Sequence, residues 1–178
     1  MKKFLVTPMA LIGIFCISCS DNSGGMSATE KKNLDAMHAV QKAFDTKDFS
    51  KVGDYIAEDA IDHAPPQGDV KGIANIKAEF EKMAAMSEND KTEIIKELAD
   101  DEYVMSWCRY TATAKAAWMG FKPGDKIDMN AIEVAKFKDG KAVEHWSFVQ
   151  PNDMMKMMGT PPPAMPMAAD SMKKDSMK

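Results

Sequence analysis

The sequence predicts an α+β fold in which about three helices lie over the concave face of a curved antiparallel sheet. Apolar residues recur every three or four positions in the first half of the chain and follow a period of two from Lys91 onward. The Asp139-Gly140 step separates two apolar runs, which is a strong hairpin signal. Helices followed by a meander of strands indicate an α+β arrangement, and a strongly curved sheet leaves a cavity at its open end.

The first half of this pattern is predicted to be mainly helical. One helix covers residues 30–47, and a second, short helix follows Asp48, which is a plausible N-cap. A third helix opens at Gly72 and ends near residues 87–90. Residues 60–64 form a short extended segment that Pro65-Pro66 stops. The predicted inward residues are Leu34, Met37, Val40, Phe44, Phe49, Val52, Tyr55, Ile56, Ile73, Ile76, Phe80 and Met83.

The second half is predicted to be an antiparallel meander. Strands over residues 91–98 and 103–116 flank a turn at residues 100–101, and residues 122–125 form the next turn. A further strand starts near Ile127 and leads into the Asp139-Gly140 hairpin, and Pro151 ends the last strand. A closing amphipathic turn then carries the methionines of residues 154–158 and stops at Gly159.

Residues 1–18 are predicted to be an export signal that is not part of the fold. Two lysines precede an apolar run over residues 4–17, which is too short to span a bilayer as a mature helix. The sequence Cys16-Ile17-Ser18-Cys19 resembles a bacterial lipobox, which implies cleavage before Cys19 and lipid attachment to it. An ordinary secretory signal cut elsewhere is the alternative. We therefore expect a lipid anchor in the bacterial cell envelope, on a periplasmic or surface face.

Composition divides the remaining chain and limits its partners. Residues 19–29 read as a flexible tether, 30–159 as one domain, and 160–178 as a disordered tail rich in Pro and Met. The formal charge of −4 becomes −6 once Lys2 and Lys3 are removed, and no basic stripe is present, so nucleic acid is not an expected partner. Cys108 is then the single unmodified cysteine, and with no readable base beside it we expect a core residue, not a nucleophile.

Four short motifs carry a family resemblance. They are GFKPGDK at residues 120–126, FKDGK at 137–141, EHW at 144–146 and MMKMMG at 154–159. With these motifs the chain resembles the SnoaL-like polyketide cyclases (ester cyclases) of the nuclear transport factor 2-like superfamily over about residues 30–159. The resemblance implies a cone-shaped α+β barrel with a mostly apolar pocket for a small molecule, often dimeric through the sheet. No cofactor is predicted.

The resemblance also places the acid–base residue of the cyclases on the last strand. It is an aspartate two positions after the histidine, and this chain has Ser147 there. A serine hydroxyl cannot act as a carboxylate base at neutral pH. His145 or Glu133 could replace it, but the sequence does not show that either does.

The register of the hairpin decides whether Glu133 and His145 meet. A two-residue turn would set Glu133 opposite Trp146 and put His145 on the other face. A three-residue loop with Gly140 in a bulge would pair Glu133 with His145 and Ala131 with Ser147. We prefer the bulge, because it gathers Glu133, His145 and Ser147 on one face beside Ala131, Ala135 and Val143. A carboxylate beside an imidazole suits acid–base catalysis, although a water-exposed cross-strand pair is the alternative.

Other polar and aromatic residues complete the candidate site. His63 is expected to face the pocket as a helper in catalysis, and a hydrogen-bonded histidine near the seam between helices and sheet is the alternative. Asp62 points to the opposite face in a regular strand, so at most one of the two lies in the pocket. Trp107, Arg109 and Trp118 are candidate pocket residues, and Arg109 could pair with Glu133 or a ligand anion. Trp107 and Trp118, like Tyr110 and Phe121, belong either to the pocket wall or to a dimer sheet, and aromatic residues at strand spacing are more often core.

Metal binding is considered but not predicted. A site built from His63, His145 and Glu133 has no diagnostic spacing. Thioethers near the C-terminus could bind Cu(I), but no histidine accompanies them, and packing explains them better. Two functions stay open: an acid–base enzyme of the cyclase, isomerase or hydrolase type, and a non-catalytic small-molecule-binding module.

Overall fold

The computed structural model describes residues 25–65 and 67–159. The predicted export signal, Cys19 and the tail from residue 160 lie outside the described residues. The described part contains four helices and six strands in the order α1, α2, β1, β2, α3, β3, β4, β5, β6, α4. No helix within it is long and apolar enough to cross a membrane.

The helices begin and end where local chemistry favours it. Helix α1 (Ala28–Thr46) begins at a capping box, in which Ser27 and Glu30 satisfy each other's backbone N–H groups, and ends at Lys47 in the left-handed conformation. Helix α2 (Val52–Tyr55) is short, α3 (Ile73–Ala85) follows Gly72, and α4 (Pro151–Met157) has Pro151 in its first turn.

The strands form one six-stranded sheet in the order β2-β1-β6-β5-β4-β3. Their bounds are β1 Ile56–Asp62, β2 Val70–Lys71, β3 Ser87–Ala99, β4 Tyr103–Ala114, β5 Lys126–Lys138 and β6 Lys141–Val149. Strands β1 and β6 are parallel and the other neighbours are antiparallel. The predicted α+β class, with helices over a curved sheet, is confirmed.

The turn of the β5–β6 hairpin differs from the predicted three-residue loop. It has two residues, because Lys138 pairs directly with Lys141. Asp139 and Gly140 both have positive φ angles, 54° and 78°, as a tight turn matched to the twist of the strands requires.

A bulge lies three residues after this turn. Phe137 pairs with Ala142 and Lys136 with Glu144, so Val143 has no partner. One extra residue on β6 reverses the alternation of its side chains from that point onward. Ala142 thus packs against the buried core around Phe137, where Val143 had been expected.

The bulge brings the polar residues to the inner face in spite of the changed turn. Glu133 pairs with Ser147, and Ala135 pairs with His145. The predicted pairs, Glu133 with His145 and Ala131 with Ser147, are therefore wrong, because the observed register is shifted by two residues. The three polar side chains still share one face, because the bulge compensates for the shorter turn.

The two faces of the sheet have different surroundings. The inner face packs on α1 and α3 and includes the buried residues Val104, Cys108 and Ala135. The outer face carries an exposed group of large apolar side chains, which we call the outer apolar patch: Leu98, Met105, Trp107, Ile132 and Phe148.

Candidate functional site

A cavity of about 370 Å³ lies between the helices and the inner face of the sheet. This volume is typical of small-molecule sites, which combine mostly apolar walls with a few polar groups. Six methionines contribute to the walls, and such flexible, polarisable side chains adapt to a ligand's shape. They are Met37, Met83, Met86, Met119, Met129 and Met157.

Asp62, His145, Glu133 and Ser147 form a connected polar group in the cavity wall. The Nδ1 atom of His145 lies 2.9 Å from Oδ1 of Asp62, and its Nε2 atom lies 3.0 Å from Oε2 of Glu133. Ser147 donates its hydroxyl to the other oxygen of Glu133 at 2.9 Å. The imidazole is therefore held between two carboxylates, and one of these is also held by a serine.

This arrangement favours the protonated form of His145. Burial opposes the charge, but the hydrogen bonds to Asp62 and Glu133 outweigh it and raise the pKa of His145 to about 10. At neutral pH both ring nitrogens then carry protons, and each donates to a carboxylate. The unit is a carboxylate–imidazolium–carboxylate cluster.

Three strands position the cluster. Strand β1 runs parallel to β6 with Asp62 beside His145, and β5 places Glu133 opposite Ser147. Glu133 and His145 are thus diagonal neighbours, which is within reach of their side chains. The backbone N–H of Ala64 also donates to Asp62 Oδ1 and fixes that carboxylate.

His63 does not line the cavity, contrary to its expected inward direction. Its ring stacks on Trp146 with centroids 5.0 Å apart, and its Nδ1 atom lies 2.9 Å from Asp69. The hydrogen bond to Asp69 raises the pKa of His63 against the effect of burial. In β1 the buried residues are Ile56, Ala60 and Asp62, so it is Asp62 that turns inward, where His145 neutralises its charge.

Two of the three predicted pocket residues outside the cluster lie on the other side of the sheet. Trp107 and Arg109 point outward from β4, because the positions that alternate with them, Ser106 and Cys108, are the buried ones in this part of the strand. Arg109 forms a bidentate ion pair with Asp128, at 2.8 and 2.6 Å, and not with Glu133. Trp118 does line the cavity.

Cys108 lines the cavity as a buried free thiol. Burial, together with the nearby charges of Glu133 and Glu97, raises the pKa of Cys108 to about 12, so a thiolate is disfavoured. No group of three or more His, Cys, Asp or Glu side chains that could hold a metal ion occurs among the described residues.

A second polar cluster in the cavity wall was not predicted. Asp90 accepts hydrogen bonds from Ser87 and Tyr110, and Lys47 lies 2.8 Å from its other oxygen. Although burial works against it, these contacts lower the pKa of Asp90. Residues 87–90 were predicted as the end of the third helix, whereas strand β3 already begins at Ser87, so Asp90 was not expected in the cavity wall.

Three solved structures illustrate the fold that this chain shares. A putative SnoaL-like polyketide cyclase from Jannaschia sp. CCS1 matches with a TM-score of 0.68 at 15% identity, over 78% of this chain and 99% of that one. AclR, a putative hydroxylase from Streptomyces galilaeus, matches with a TM-score of 0.62 at 21% identity, over 75% and 99%. IdmH, a putative polyketide cyclase from Streptomyces antibioticus, matches with a TM-score of 0.60 at 20% identity, over 72% and 99%.

Sequence comparison names the family directly. No curated protein matches the chain. The family model described as SnoaL-like polyketide cyclase matches residues 34–158, which include both strands of the hairpin and the polar cluster. This match supports a domain that binds a small molecule. The predicted family is confirmed: the chain belongs to the SnoaL-like polyketide cyclase family.

Proposed function

We propose that the protein is an acid–base enzyme that removes a proton from a carbon next to a carbonyl group of a small, largely apolar molecule. This step is common to cyclisation and isomerisation. The observation that carries the proposal is the cluster of Asp62, His145 and Glu133, joined by hydrogen bonds of 2.9 and 3.0 Å inside an apolar cavity.

Glu133 is the proposed base. Its carboxylate takes the proton of the C–H bond, and the electron pair of that bond moves into the carbonyl, so an enolate and a neutral carboxylic acid result. The charge of His145 then stabilises the enolate oxygen, because an imidazolium beside a developing anion in a mostly apolar cavity interacts strongly. Asp62 positions the ring through Nδ1.

Ser147 has a supporting role in this scheme. It occupies the position of the family's aspartate, and its hydroxyl donates to Glu133, the residue directly opposite on β5. A carboxylate therefore remains next to that position although it comes from the neighbouring strand. This supports Glu133 as the replacement base.

The alternative is a binding module without turnover. The hydrogen bonds of His145 favour this alternative, because both of its ring nitrogens already contact a carboxylate and neither is free to bind a substrate. For turnover, the Nε2 proton of His145 must leave its hydrogen bond to Glu133 and donate to the carbonyl oxygen of the substrate instead. If it does not, the cavity binds and releases the molecule unchanged.

Deuterium exchange separates the two functions. The probe is 6-acetyl-2-naphthol in D₂O, and the measurement is loss of the acetyl methyl signal by NMR. We expect exchange above the buffer rate with the wild type, a loss of about 100-fold or more with Glu133→Gln, and no change with the exposed control Glu93→Gln. Binding of the probe without any accelerated exchange would favour the binding module.

We also propose that the protein is exported and held in the cell envelope by lipid on Cys19. The basic start, the short apolar run and the serine before Cys19 support this location. Cys19→Ala should move the protein from the membrane fraction to the soluble fraction and abolish incorporation of labelled palmitate. Palmitate incorporation that survives this change would contradict the proposal.

We further propose a homodimer formed through the outer face of the sheet. The outer apolar patch supports it: Phe148 is 58% exposed and Leu98 63% exposed, although both are large apolar side chains. Exposed apolar areas of this kind on a sheet are typical of protein interfaces.

A further inference from the structure

The cavity has a second polar end, formed by Tyr110, Ser87 and Asp90, to which the proposed proton transfer assigns no role. Both hydroxyls donate to Oδ1 of Asp90, and Lys47 balances the charge of this carboxylate at 2.8 Å. Ser87 and the side chain of Asp90 are almost fully buried, whereas Tyr110 is only partly buried. Tyr110 is thus the member of this group that a ligand can contact.

The hydrogen bonds of Tyr110 determine what kind of group it can accept. Its hydroxyl proton is committed to Asp90, so the phenolic oxygen has only lone pairs to offer. A hydroxyl that donates to a carboxylate is also a stronger acceptor, because hydrogen bonds in a chain polarise one another. This end of the cavity therefore suits a hydrogen-bond donor.

The two polar ends are separated along the sheet. Ser106 pairs with Glu133, and Tyr110 lies four residues further along the same strand β4. At about 3.4 Å per residue, the two backbone positions are about 14 Å apart along the strand. The ends are joined by apolar wall, which includes Cys108, Ala131 and Met129.

Gln41 supports the view that this wall contacts a polar ligand. It lies on α1 and lines the cavity, and neither its amide nitrogen nor its amide oxygen has a hydrogen-bond partner in the described part of the chain. On the same helix, His38 contacts Glu97 and Asp45 contacts Thr92, so Gln41 lies between two anchored turns. A buried amide without partners is costly, and a ligand can supply them.

We propose that Tyr110 is the specificity-determining residue of the cavity, and that it accepts a hydrogen bond from a hydroxyl at the end of the substrate remote from the reacting carbonyl. The substrate is accordingly an elongated, mainly apolar molecule with a carbonyl at one end and a hydroxyl at the other. This assignment rests on the proposed function for the position of the carbonyl. The recognition of the hydroxyl is independent of any turnover.

The test compares 6-acetyl-2-naphthol with its methyl ether, which is nearly the same shape but lacks the donor. Affinities are measured from the naphthalene fluorescence. We expect the wild type to bind the naphthol about 10-fold more tightly or better, and Tyr110→Phe to reduce this preference to within about 2-fold. The matched control is Tyr103→Phe on the same strand, outside the cavity, which should keep the wild-type preference.

Two further outcomes keep the test decisive. Equal affinity of the wild type for both probes overturns the proposal, whatever the variants do. Tyr110 on β4 also donates to Asp90 on β3, so Tyr110→Phe could fail to fold. In that case NMR of the wild type bound to the naphthol replaces the measurement on the variant. A nuclear Overhauser contact between the naphthol ring beside the hydroxyl and the ring of Tyr110 is expected, and its absence from the bound state overturns the assignment.

The outcomes also separate this inference from the proposed function. A wild type that prefers the naphthol but exchanges no acetyl protons retains the hydroxyl site and loses the enzyme. A wild type that exchanges those protons in both probes equally well, without preference in binding, retains the enzyme and loses the hydroxyl site.

Discussion

The charge on His145 depends on two carboxylates, and removing one of them should lower its pKa measurably. The perturbation is Asp62→Asn, which keeps a side-chain oxygen near Nδ1 and removes its charge. In the wild type the pKa of His145 rises from 6.5 to about 10, which corresponds to about 5 kcal/mol in favour of the imidazolium. Asp62 and Glu133 contact the ring at nearly equal distances of 2.9 and 3.0 Å. We therefore assign about half of this energy, roughly 2 kcal/mol, to Asp62, and expect the pKa of His145 to fall by about 1–2 pH units.

The assay is a pH titration of the imidazole ring by ¹⁵N NMR. In the wild type the two ring nitrogens of His145 should keep their imidazolium shifts well above pH 7, whereas the variant should titrate at lower pH. Asp69→Asn is the matched control, because it removes the carboxylate partner of His63 and should leave His145 unchanged. A wild-type His145 that is neutral at pH 7 would refute the reasoning, since the two carboxylates would then not be holding a charge.

The same pKa fixes the direction in which stability depends on pH. The folded pKa of His145 lies above the unfolded value, so the folded protein binds the proton more tightly. The stabilisation is complete below about pH 6.5 and is lost as the pH rises through about 10. Chemical denaturation across this range should show a decline in the free energy of unfolding that is smaller in Asp62→Asn.

Three further predictions concern the fold, the interface and the thiol. Gly120→Ala should lower the free energy of unfolding by about 2–4 kcal/mol in chemical denaturation, because φ is +78° and a Cβ would meet an α4 carbonyl oxygen at 2.5 Å. The control Gly124→Ala, also at positive φ but in open space, should lower it by about 1 kcal/mol, and equal losses in the two variants would contradict the contact at Gly120. Trp107→Lys in the outer apolar patch should give monomers in light scattering, and an unchanged dimer would exclude this face. Cys108, whose pKa burial raises to about 12, should react with iodoacetamide at pH 8 only after unfolding, and rapid labelling of the native protein would contradict its buried position.

The fold was predictable because its signals are local. The change from a helical to a strand period and the Asp139-Gly140 turn both lie within a few residues of the elements that they specify. The bulge at Val143 has no comparable signal, since nothing in the neighbouring residues distinguishes a bulged valine from a paired one. The prediction that Glu133 and His145 share a face was right, although it rested on the wrong turn.

The composition of the site was harder to predict because it depends on contacts between distant residues. Asp62 meets His145 through a parallel pairing between β1 and β6, which are 83 residues apart at this contact. In this short strand, alternation from the apolar Ile61 places His63 inward and Asp62 outward, which is the reverse of the observed arrangement. Trp107 was assigned to the pocket for a related reason. Both faces of this sheet carry apolar residues, and alternation alone does not show that Trp107 lies on the outer face.

The charges in the cavity restrict the chemical class of the ligand more narrowly than the shape of the cavity does. With His145 protonated, the cluster of two carboxylates and one imidazolium carries a net charge of −1, while Lys47 compensates Asp90 at the other end. A second anion in this mostly apolar space would lose its hydration and meet a charge of the same sign, which is costly in a low dielectric. Carboxylic acids and phosphates are therefore poor ligands, and a neutral carbonyl compound fits. This charge balance also explains how Glu133 can act as a base while it is paired with His145. Once Glu133 takes the substrate's proton, the cluster of Asp62, His145 and Glu133 is neutral. The enolate oxygen then replaces the Glu133 carboxylate as the anion beside His145, so the total charge of the site stays at −1.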